Sequence, residues 1–166
     1  MNVLESFSLK GKVALVTGGA GLYGRQIVEA LAEAGAETYI ASRNLDSLQQ
    51  VAKEEVERGH NVTAMKLDLS EDESIENIHH DIIDKSGKCD ILINNAVSRE
   101  FGSAGWKNTL DDFDKSLRVN ASALFKITEM FAEDMKKNSS GSIINIGSMM
   151  GTVGVENGNY EGTDFT

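Results

Sequence analysis

The sequence predicts an α/β fold in which a doubly wound parallel sheet of about five strands carries helices on both faces. Two observations lead to this prediction. Short apolar runs alternate along the chain with longer segments in which apolar residues recur at helical spacing. These longer segments have the length that the right-handed crossovers between parallel strands require. After residue 151 the alternation stops, so the fold is expected to be incomplete, with its C-terminal part missing from the 166 residues.

Five short apolar runs are predicted as strands. The first, residues 12–17, is apolar along most of its length and ends at glycines, which is typical of a strand buried on both faces. The third, residues 62–67, alternates between apolar and polar side chains. The other predicted strands are residues 37–42, 91–94 and 142–146.

Helices are predicted between these strands. Residues 22–34 and 45–56 each carry an apolar stripe and end near a glycine. Ser70 is predicted to begin the next helix as its N-cap, because Glu73 stands three residues later and completes a capping box. The last predicted helix, residues 117–135, holds helical spacing over five turns. Its apolar residues either serve only core packing, which is favoured, or make the helix apolar on more than the side that faces the sheet.

Composition and charge exclude several classes of protein. The net charge is −10, from 26 acidic and 16 basic residues, so the surface repels phosphate backbones and nucleic-acid binding is not expected. One cysteine, Cys89, excludes an internal disulfide. The longest apolar runs are too short to cross a membrane, and the first ten residues lack the apolar core of a signal peptide. We therefore expect a cytoplasmic protein with no membrane partner.

Neither the histidines nor the acidic runs predict a metal site. His79 and His80 are adjacent, so on a helix they point about 100° apart and form a poor chelate. Asp111, Asp112 and Asp114 lack the spacing of a calcium-binding loop. These three carboxylates are instead predicted to cap and begin a helix.

The glycine-rich segment after the first strand predicts a nucleotide-binding turn. Its glycines match G-x-G-x-x-G between a strand and a helix, which allows a tight turn and a close approach of the backbone to a pyrophosphate. The helix N-terminus would then face the phosphates with unpaired N–H groups. This context favours nucleotide binding by a Rossmann-type sheet over a glycine-rich turn that binds no ligand. The candidate residues are Gly18, Gly21, Leu22, Tyr23 and Gly24.

The end of the second predicted strand indicates which dinucleotide binds. An acidic residue here would hold the ribose hydroxyls of NAD, but the chain has Ser42 followed by Arg43. A guanidinium suits the additional phosphate of NADP, so NADP is favoured over NAD. The alternative is that Arg43 is only a solvated residue at the start of the next helix.

Polar residues also end the third and fourth predicted strands. Asp68, followed by Leu69, is placed to accept a hydrogen bond from an adenine amino group, or else caps a helix. Asn94 and Asn95, followed by Ala96, need partners because unpaired buried amides are costly. They serve either a structural turn or the ribose next to the nicotinamide.

These motifs, in this order, resemble the short-chain dehydrogenase/reductase family. The residues that carry the resemblance are 17–24, Asp68-Leu69, Asn94-Asn95-Ala96, Asn120 and Ser148. The resemblance implies hydride transfer between a nicotinamide cofactor and a small alcohol or carbonyl compound. It further implies that Asn120 holds a water of the proton relay and that Ser148 hydrogen-bonds the substrate oxygen, although a turn-forming serine is an alternative.

Details of the resemblance narrow the expected substrate and assembly. The chain looks like the gluconate 5-dehydrogenase and sugar-modifying members of the family, which implies a sugar, sugar acid or polyol substrate. The family often buries the helix that contains Asn120 against a second subunit, so the resemblance implies that the full-length protein is a homo-oligomer. Two positions differ from the usual family pattern, since Leu22 and Val97 stand where glycine is common.

The family's catalytic Tyr-x-x-x-Lys is not found in the sequence. Tyr160 is followed four residues later by Asp164, and a carboxylate would raise the pKa of the phenol. We therefore expect Tyr160 to be non-catalytic and the catalytic pair to lie beyond Thr166. Residues 1–166 would form one dinucleotide-binding domain, truncated before that segment and inactive as given.

Two other functions stay open at this point. The chain could be a catalytically inactive dinucleotide-binding module, because it lacks the acid/base pair. It could also be an extended-type sugar-nucleotide epimerase, an assignment that rests on Gly21 and requires tightly held NAD. Arg43 argues against the epimerase.

Overall fold

The computed structural model describes residues 2–99, 107–154 and 158. Within these residues the chain forms one parallel five-stranded sheet in the order β3-β2-β1-β4-β5. Each predicted strand is confirmed to within one residue at either end. The strands are β1 Val13–Thr17, β2 Glu37–Ser42, β3 Val62–Lys66, β4 Ile91–Asn94 and β5 Ser142–Asn145.

Helices connect the strands and cover both faces of the sheet. They are α1 Val3–Ser6, α2 Leu22–Glu33, α3 Leu45–Glu57, α4 Asp72–Ser86, α5 Leu110–Leu117 and α6 Leu124–Lys137. A π-helical turn, Arg118–Ala123, lies between α5 and α6. No helix of the described residues is long and apolar enough to cross a membrane.

Adjacent residues of β1 face opposite sides of the sheet and explain why it needs two layers of helices. Leu15 is fully buried against α4 and α6, where it joins a cluster that contains Phe131. Val16 is fully buried in the other cluster, with Val28 of α2 and Leu48 of α3. The predicted doubly wound, Rossmann-type architecture is therefore confirmed.

The start of α4 corrects one prediction. Its N-cap is Glu71, without a side-chain capping bond, so the predicted capping box of Ser70 and Glu73 is wrong. The Ser70 N–H and hydroxyl both donate to Asp68 Oδ1, at 2.9 and 2.7 Å. This local hydrogen bonding competes with capping and moves the helix start to Asp72.

The last long helix begins earlier than predicted. Thr109 and Asp112 form a capping box that starts α5 at Leu110, so the prediction that the aspartate run begins a helix is confirmed. The predicted start at residue 117 is wrong because α5 continues into the π turn. Apolar spacing at Leu117 could not reveal α5, since none of its residues is buried.

Strand β5 is exposed at the side of the sheet. In the described ranges it pairs only with β4, and Ile144 keeps 46% of its surface exposed. Its Asn145 still faces the side chain of Asn94 across the pair. The strand thus has neither a second strand neighbour nor full helical cover in the part of the chain that the structure describes.

Candidate functional site

A crevice opens at the carboxyl end of the sheet, where the chain order reverses. From β1 the chain winds outward to β3 and then returns to β4 on the other side of β1, which is where open α/β sheets bind ligands. We call it the switch-point crevice; its cavity measures about 270 Å³. Its lining residues are Gly18, Ala41, Ser42, Arg43, Asn44, Leu67, Asp68, Leu69, Ala96, Val97, Ser98 and Val119.

The glycine turn forms one end of this crevice. Gly18 has a φ of +70°, which favours glycine, and its N–H donates to the Ala41 carbonyl at 2.7 Å. Gly24 packs so closely on the Gly18 carbonyl that a Cβ there would overlap the oxygen. Gly21 is the N-cap of α2 and supplies no side-chain cap, so the first N–H groups of the helix stay available to a ligand.

Leu22 and Tyr23 occupy the first turn of α2 but do not line the crevice. Their side chains are 86% and 71% exposed. Their backbone N–H groups lie at the positive end of the helix.

Thr17 connects the glycine turn to the end of β4. Its Oγ1 accepts hydrogen bonds from the N–H groups of Asn95 and Ala96, both at 3.0 Å. The Asn95 amide in turn donates to the carbonyls of Thr17 and Gly18, both at 3.1 Å. Asn95 therefore supports the glycine turn, and its Nδ2 is committed to protein carbonyls.

Asn94 has a structural role in this structure. Its Nδ2 donates to Thr128 Oγ1 of α6 at 3.0 Å and to Asn145 Oδ1 of β5 at 2.9 Å. These contacts of Asn94 join β4 to α6 and β5 and do not form a turn. The sequence did not predict which residues contact the two amides, because these partners are distant from the Asn-Asn-Ala motif. They are Thr128 and Asn145 for Asn94, and Thr17 for Asn95.

Arg43 and Asp68 lie on the adjoining walls formed by the ends of β2 and β3. Ser42 Oγ donates to the Asn44 carbonyl at 3.3 Å, and Asn44 caps α3 through Ser47 N–H. The Ser70 hydroxyl and N–H, with the charge of Arg43, hold the pKa of the Asp68 carboxyl below its ordinary value, although partial burial opposes them. Asp68 is thus an ionised acceptor that stabilises the turn after β3 and does not cap α4.

Asn120 lies in the π turn and binds the backbone of Ser98. Its Oδ1 accepts from Ser98 N–H at 2.8 Å, and its Nδ2 donates to the Ser98 carbonyl at 2.9 Å and to Ser116 Oγ at 3.1 Å. Both polar atoms of the side chain therefore have protein partners. A π turn inside a helix is frequent at functional sites.

Ser148 stands apart from the crevice lining. It follows β5 and is exposed, and its carbonyl accepts from Gly151 N–H at 3.0 Å. The strand end before it is fixed because Ile146 N–H donates to the Asn94 carbonyl at 2.9 Å. Tyr160 and Asp164 lie outside the described residues.

Six predicted cofactor residues meet around the crevice, and others in its wall were missed. Those brought together are Gly18, Ser42, Arg43, Asp68, Leu69 and Ala96. Val97, Ser98 and Val119 were not predicted as lining residues. Only their positions in the sequence could have indicated them. Val97 and Ser98 follow the Asn-Asn-Ala motif, and Val119 precedes Asn120. No group of three or more metal-ligating side chains comes together among the described residues.

Comparisons with known proteins connect this geometry to a family. A family profile described as short chain dehydrogenase matches residues 12–161. The chain is 35% identical over 152 residues to the 2-dehydro-3-deoxy-D-gluconate 5-dehydrogenase of Bacillus subtilis, a match that covers 88% of this chain and 56% of that protein.

Two solved structures share the fold and differ in their bound cofactor. A metagenomic short-chain oxidoreductase in complex with NADP has a TM-score of 0.83 and 31% identity, over 90% of this chain and 67% of that one. A 7α-hydroxysteroid dehydrogenase complexed with NADH and 7-oxo glycochenodeoxycholic acid has a TM-score of 0.84 and 28% identity, over 96% and 62%. The chain spans little more than half the length of the curated relatives it matches.

Proposed function

Because the chain belongs to the short-chain dehydrogenase family, we propose that it binds a nicotinamide dinucleotide in the switch-point crevice and serves an oxidoreductase that interconverts a secondary alcohol and a carbonyl compound. The observation that carries the proposal is the glycine turn. It joins β1 to the uncapped N-terminus of α2 at the topological switch point. When bound, the cofactor supplies the hydride chemistry, and the protein supplies placement and proton transfer.

We propose that the glycine turn holds the pyrophosphate. The residues involved are Gly18, Gly21, Leu22, Tyr23 and Gly24. The close contact between Gly24 and the Gly18 carbonyl supports this role, because it lets α2 start directly against the turn. The Asn95 amide keeps the turn in place from β4.

NADP is the cofactor we propose, with NAD as the weaker alternative. Ser42 and Arg43 stand at the end of β2, where an acidic residue would otherwise receive the ribose hydroxyls. Arg43 brings a planar, permanently charged fork to the wall of the crevice, which suits the 2′-phosphate. Asp68, Leu69 and Ala96 would then surround the adenosine.

The substrate end of the reaction is proposed for Ser148 and Asn120. Ser148 would hydrogen-bond the substrate oxygen. The side-chain atoms of Asn120 are held by Ser98 and Ser116, so a relay water would bind its main-chain carbonyl. We propose a sugar, sugar acid or polyol as substrate, supported by the likeness to the gluconate-type dehydrogenase of Bacillus subtilis.

An oligomer and a cytoplasmic location complete the proposal. Exposed apolar side chains follow one another along α5 and α6, among them Leu110, Leu117 and Phe125, which is 66% exposed. A second copy of the chain would cover this surface. The cytoplasmic location is proposed because the 166 residues contain one cysteine and hence no internal disulfide. Burial raises the pKa of the Cys89 thiol to about 12, which makes this thiol unreactive.

A second candidate is a binding module without turnover. Residues 1–166 contain no Tyr-x-x-x-Lys, so this candidate concerns what these residues do by themselves. Calorimetric titration of the 166-residue protein with NADPH and NADH tests the binding function. To test turnover, the protein is incubated with NADP and gluconate or a polyol, and the formation of NADPH is followed by its absorbance. We expect binding with a preference for NADPH and no turnover; turnover by this chain would refute the module.

A further inference from the structure

Arg118, the first residue of the π turn, contacts two acceptors on another part of the fold. Its Nε donates to the Ser70 carbonyl at 3.1 Å, and its Nη2 donates to Asp72 Oδ1 at 2.8 Å. The side chain is 31% exposed. A guanidinium holds two acceptors in a rigid planar fork, whereas the ammonium of a lysine is a point charge on a flexible stem. Arg118 therefore ties the π turn to the segment that links β3 to α4.

That segment is fixed on its other side by the crevice. Ser70 donates its N–H and its hydroxyl to Asp68 Oδ1, and Asp68 lines the switch-point crevice. The Asp68 N–H also donates to Ser74 Oγ at 2.9 Å. Arg118 thus binds a segment that is already anchored at the adenosine end of the proposed cofactor site.

The π turn itself forms part of the crevice wall. Val119, directly after Arg118, lines the crevice, and Asn120 holds both backbone polar groups of Ser98, another lining residue. A π turn closes with wider rings than an α-helix and is rarely stable by itself. Its position therefore depends on contacts from outside the helix.

Lys126 strengthens the same contact from the far end of the π turn. Its Nζ lies 3.0 Å from Asp72 Oδ1 and 2.6 Å from Glu76 Oε1. Asp72 is therefore shared by two cations, one on the first residue of the turn and one after the turn. This arrangement restrains the turn relative to the first turn of α4.

We propose that Arg118 is a positioning residue of the crevice: by joining the turn after β3 to the π turn, it fixes Val119, Asn120 and the Ser98 backbone for cofactor binding. The inference rests on the proposed function, since it assigns the crevice to a nicotinamide dinucleotide. The rival role for this side chain is direct contact with the cofactor, because Arg118 also lines a second cavity together with Arg43 and Lys115. As a direct ligand of the 2′-phosphate it would act on NADPH and not on NADH, which lacks that phosphate.

The test compares Arg118→Met with Lys53→Met. The second variant makes the same change in charge on α3, where Lys53 is exposed and paired only loosely with Glu57. Cofactor affinities are measured for NADPH and NADH, and backbone hydrogen exchange is measured by NMR in the cofactor-free protein. The exchange measurement follows Ser98 N–H, which donates a hydrogen bond to Asn120 Oδ1. Ile40 N–H of β2 is the internal reference.

We expect Arg118→Met to lower the affinities for NADPH and NADH by a similar factor of about five. This is the effect expected when one partly exposed ion pair is lost. Exchange at Ser98 N–H accelerates by a similar factor, while Ile40 N–H and the Lys53→Met protein stay unchanged. A loss confined to NADPH, a uniform acceleration that includes Ile40, or an unchanged Ser98 N–H would each overturn the inference. If the unmodified protein binds neither cofactor, the proposed function fails, and the exchange result alone decides whether Arg118 positions Ser98.

Discussion

The side-chain amide of Asn95, directly after β4, donates to the carbonyl of Gly18 at 3.1 Å. The glycine turn after β1 is therefore stabilised by the end of the neighbouring strand. The same strand end is held by Thr17, whose hydroxyl oxygen accepts from Asn95 N–H and Ala96 N–H. Thr17 is 1% exposed, so water cannot replace these bonds. The conformation of the proposed phosphate-binding turn therefore depends on β4 as much as on β1.

Replacing Thr17 by valine tests this dependence. The change keeps the shape of the side chain and leaves two N–H groups without their acceptor, which should lower the free energy of unfolding by about 1–3 kcal/mol. Urea unfolding measures the loss. The matched control is Thr38→Val, because the equally buried Thr38 hydroxyl only donates, to the Ala36 carbonyl. Equal losses for the two variants would contradict a special role for Thr17.

Two glycine variants should differ sharply. A Cβ at Gly24 would overlap the Gly18 carbonyl oxygen, whereas a Cβ at Gly21 would lie 3.2 Å from the same atom. Gly24→Ala should therefore destabilise the protein by about 3 kcal/mol and abolish cofactor binding, while Gly21→Ala costs about 1 kcal/mol. Thermal unfolding with and without NADPH gives both quantities. Similar behaviour of the two variants would show that the turn is looser than described.

Charge reversal at Arg43 tests the preference for NADP. Arg43→Glu should weaken NADPH binding by about 10- to 100-fold, since a charge-assisted contact to phosphate is lost and repulsion replaces it. NADH, which lacks the 2′-phosphate, should lose less than about threefold. Calorimetric titration measures both constants, and Lys53→Glu on α3 controls for the change in net charge. Equal losses for both cofactors would remove Arg43 from the 2′-phosphate site.

Asp90 should make the fold sensitive to acid. Burial acts to raise the pKa of Asp90, but hydrogen bonds from Lys88 and from Val13 N–H outweigh it, and the pKa lies below its ordinary value of 3.8. The ionised form is therefore favoured by folding. Its contribution to stability is complete above the unfolded-state pKa and is lost as the pH falls through the folded-state pKa.

The variant Asp90→Asn isolates this contribution. At pH 7 it should lower the free energy of unfolding by about 1–3 kcal/mol, and the difference from the unmodified protein should shrink below about pH 4. Urea unfolding across this pH range provides the measurement. Asp111→Asn is the control, because among the described residues that exposed carboxylate forms an ion pair only with Lys115, one turn away. A difference that persists unchanged in acid would contradict the assignment.

The sheet could be predicted from sequence because burial follows directly from residue type. The apolar run of β1 is buried along its whole length, and the strand bounds agree to within one residue. The start of α4 could not be predicted, because the preference of Ser70 for capping competes with its bonds to Asp68. The π turn has no periodic signature of its own, and Arg118 joins it to Ser70 and to Asp72 at the start of α4, which are 48 and 46 residues away in sequence.

The candidate site shows the same division. The glycine motif and the residues after β2, β3 and β4 could be located, because parallel strands bring their carboxyl ends to one edge. The support that Thr17 gives to Asn95 joins residues 78 positions apart, and no local pattern announces it. The binding of the Ser98 backbone by Asn120 was likewise hidden, because it requires the π turn to face the loop after β4.

The most direct test of the account is a titration of the ¹⁵N-labelled protein with NADPH, followed by two-dimensional NMR. We predict that the backbone signals of the glycine turn, of Asp68 and of Ala96 shift together along one binding curve, while those on the opposite edge of the sheet, such as Lys12 and Lys88, stay in place. Absence of binding, or shifts confined to residues outside the switch-point crevice, would contradict the claim that this crevice holds a nicotinamide dinucleotide.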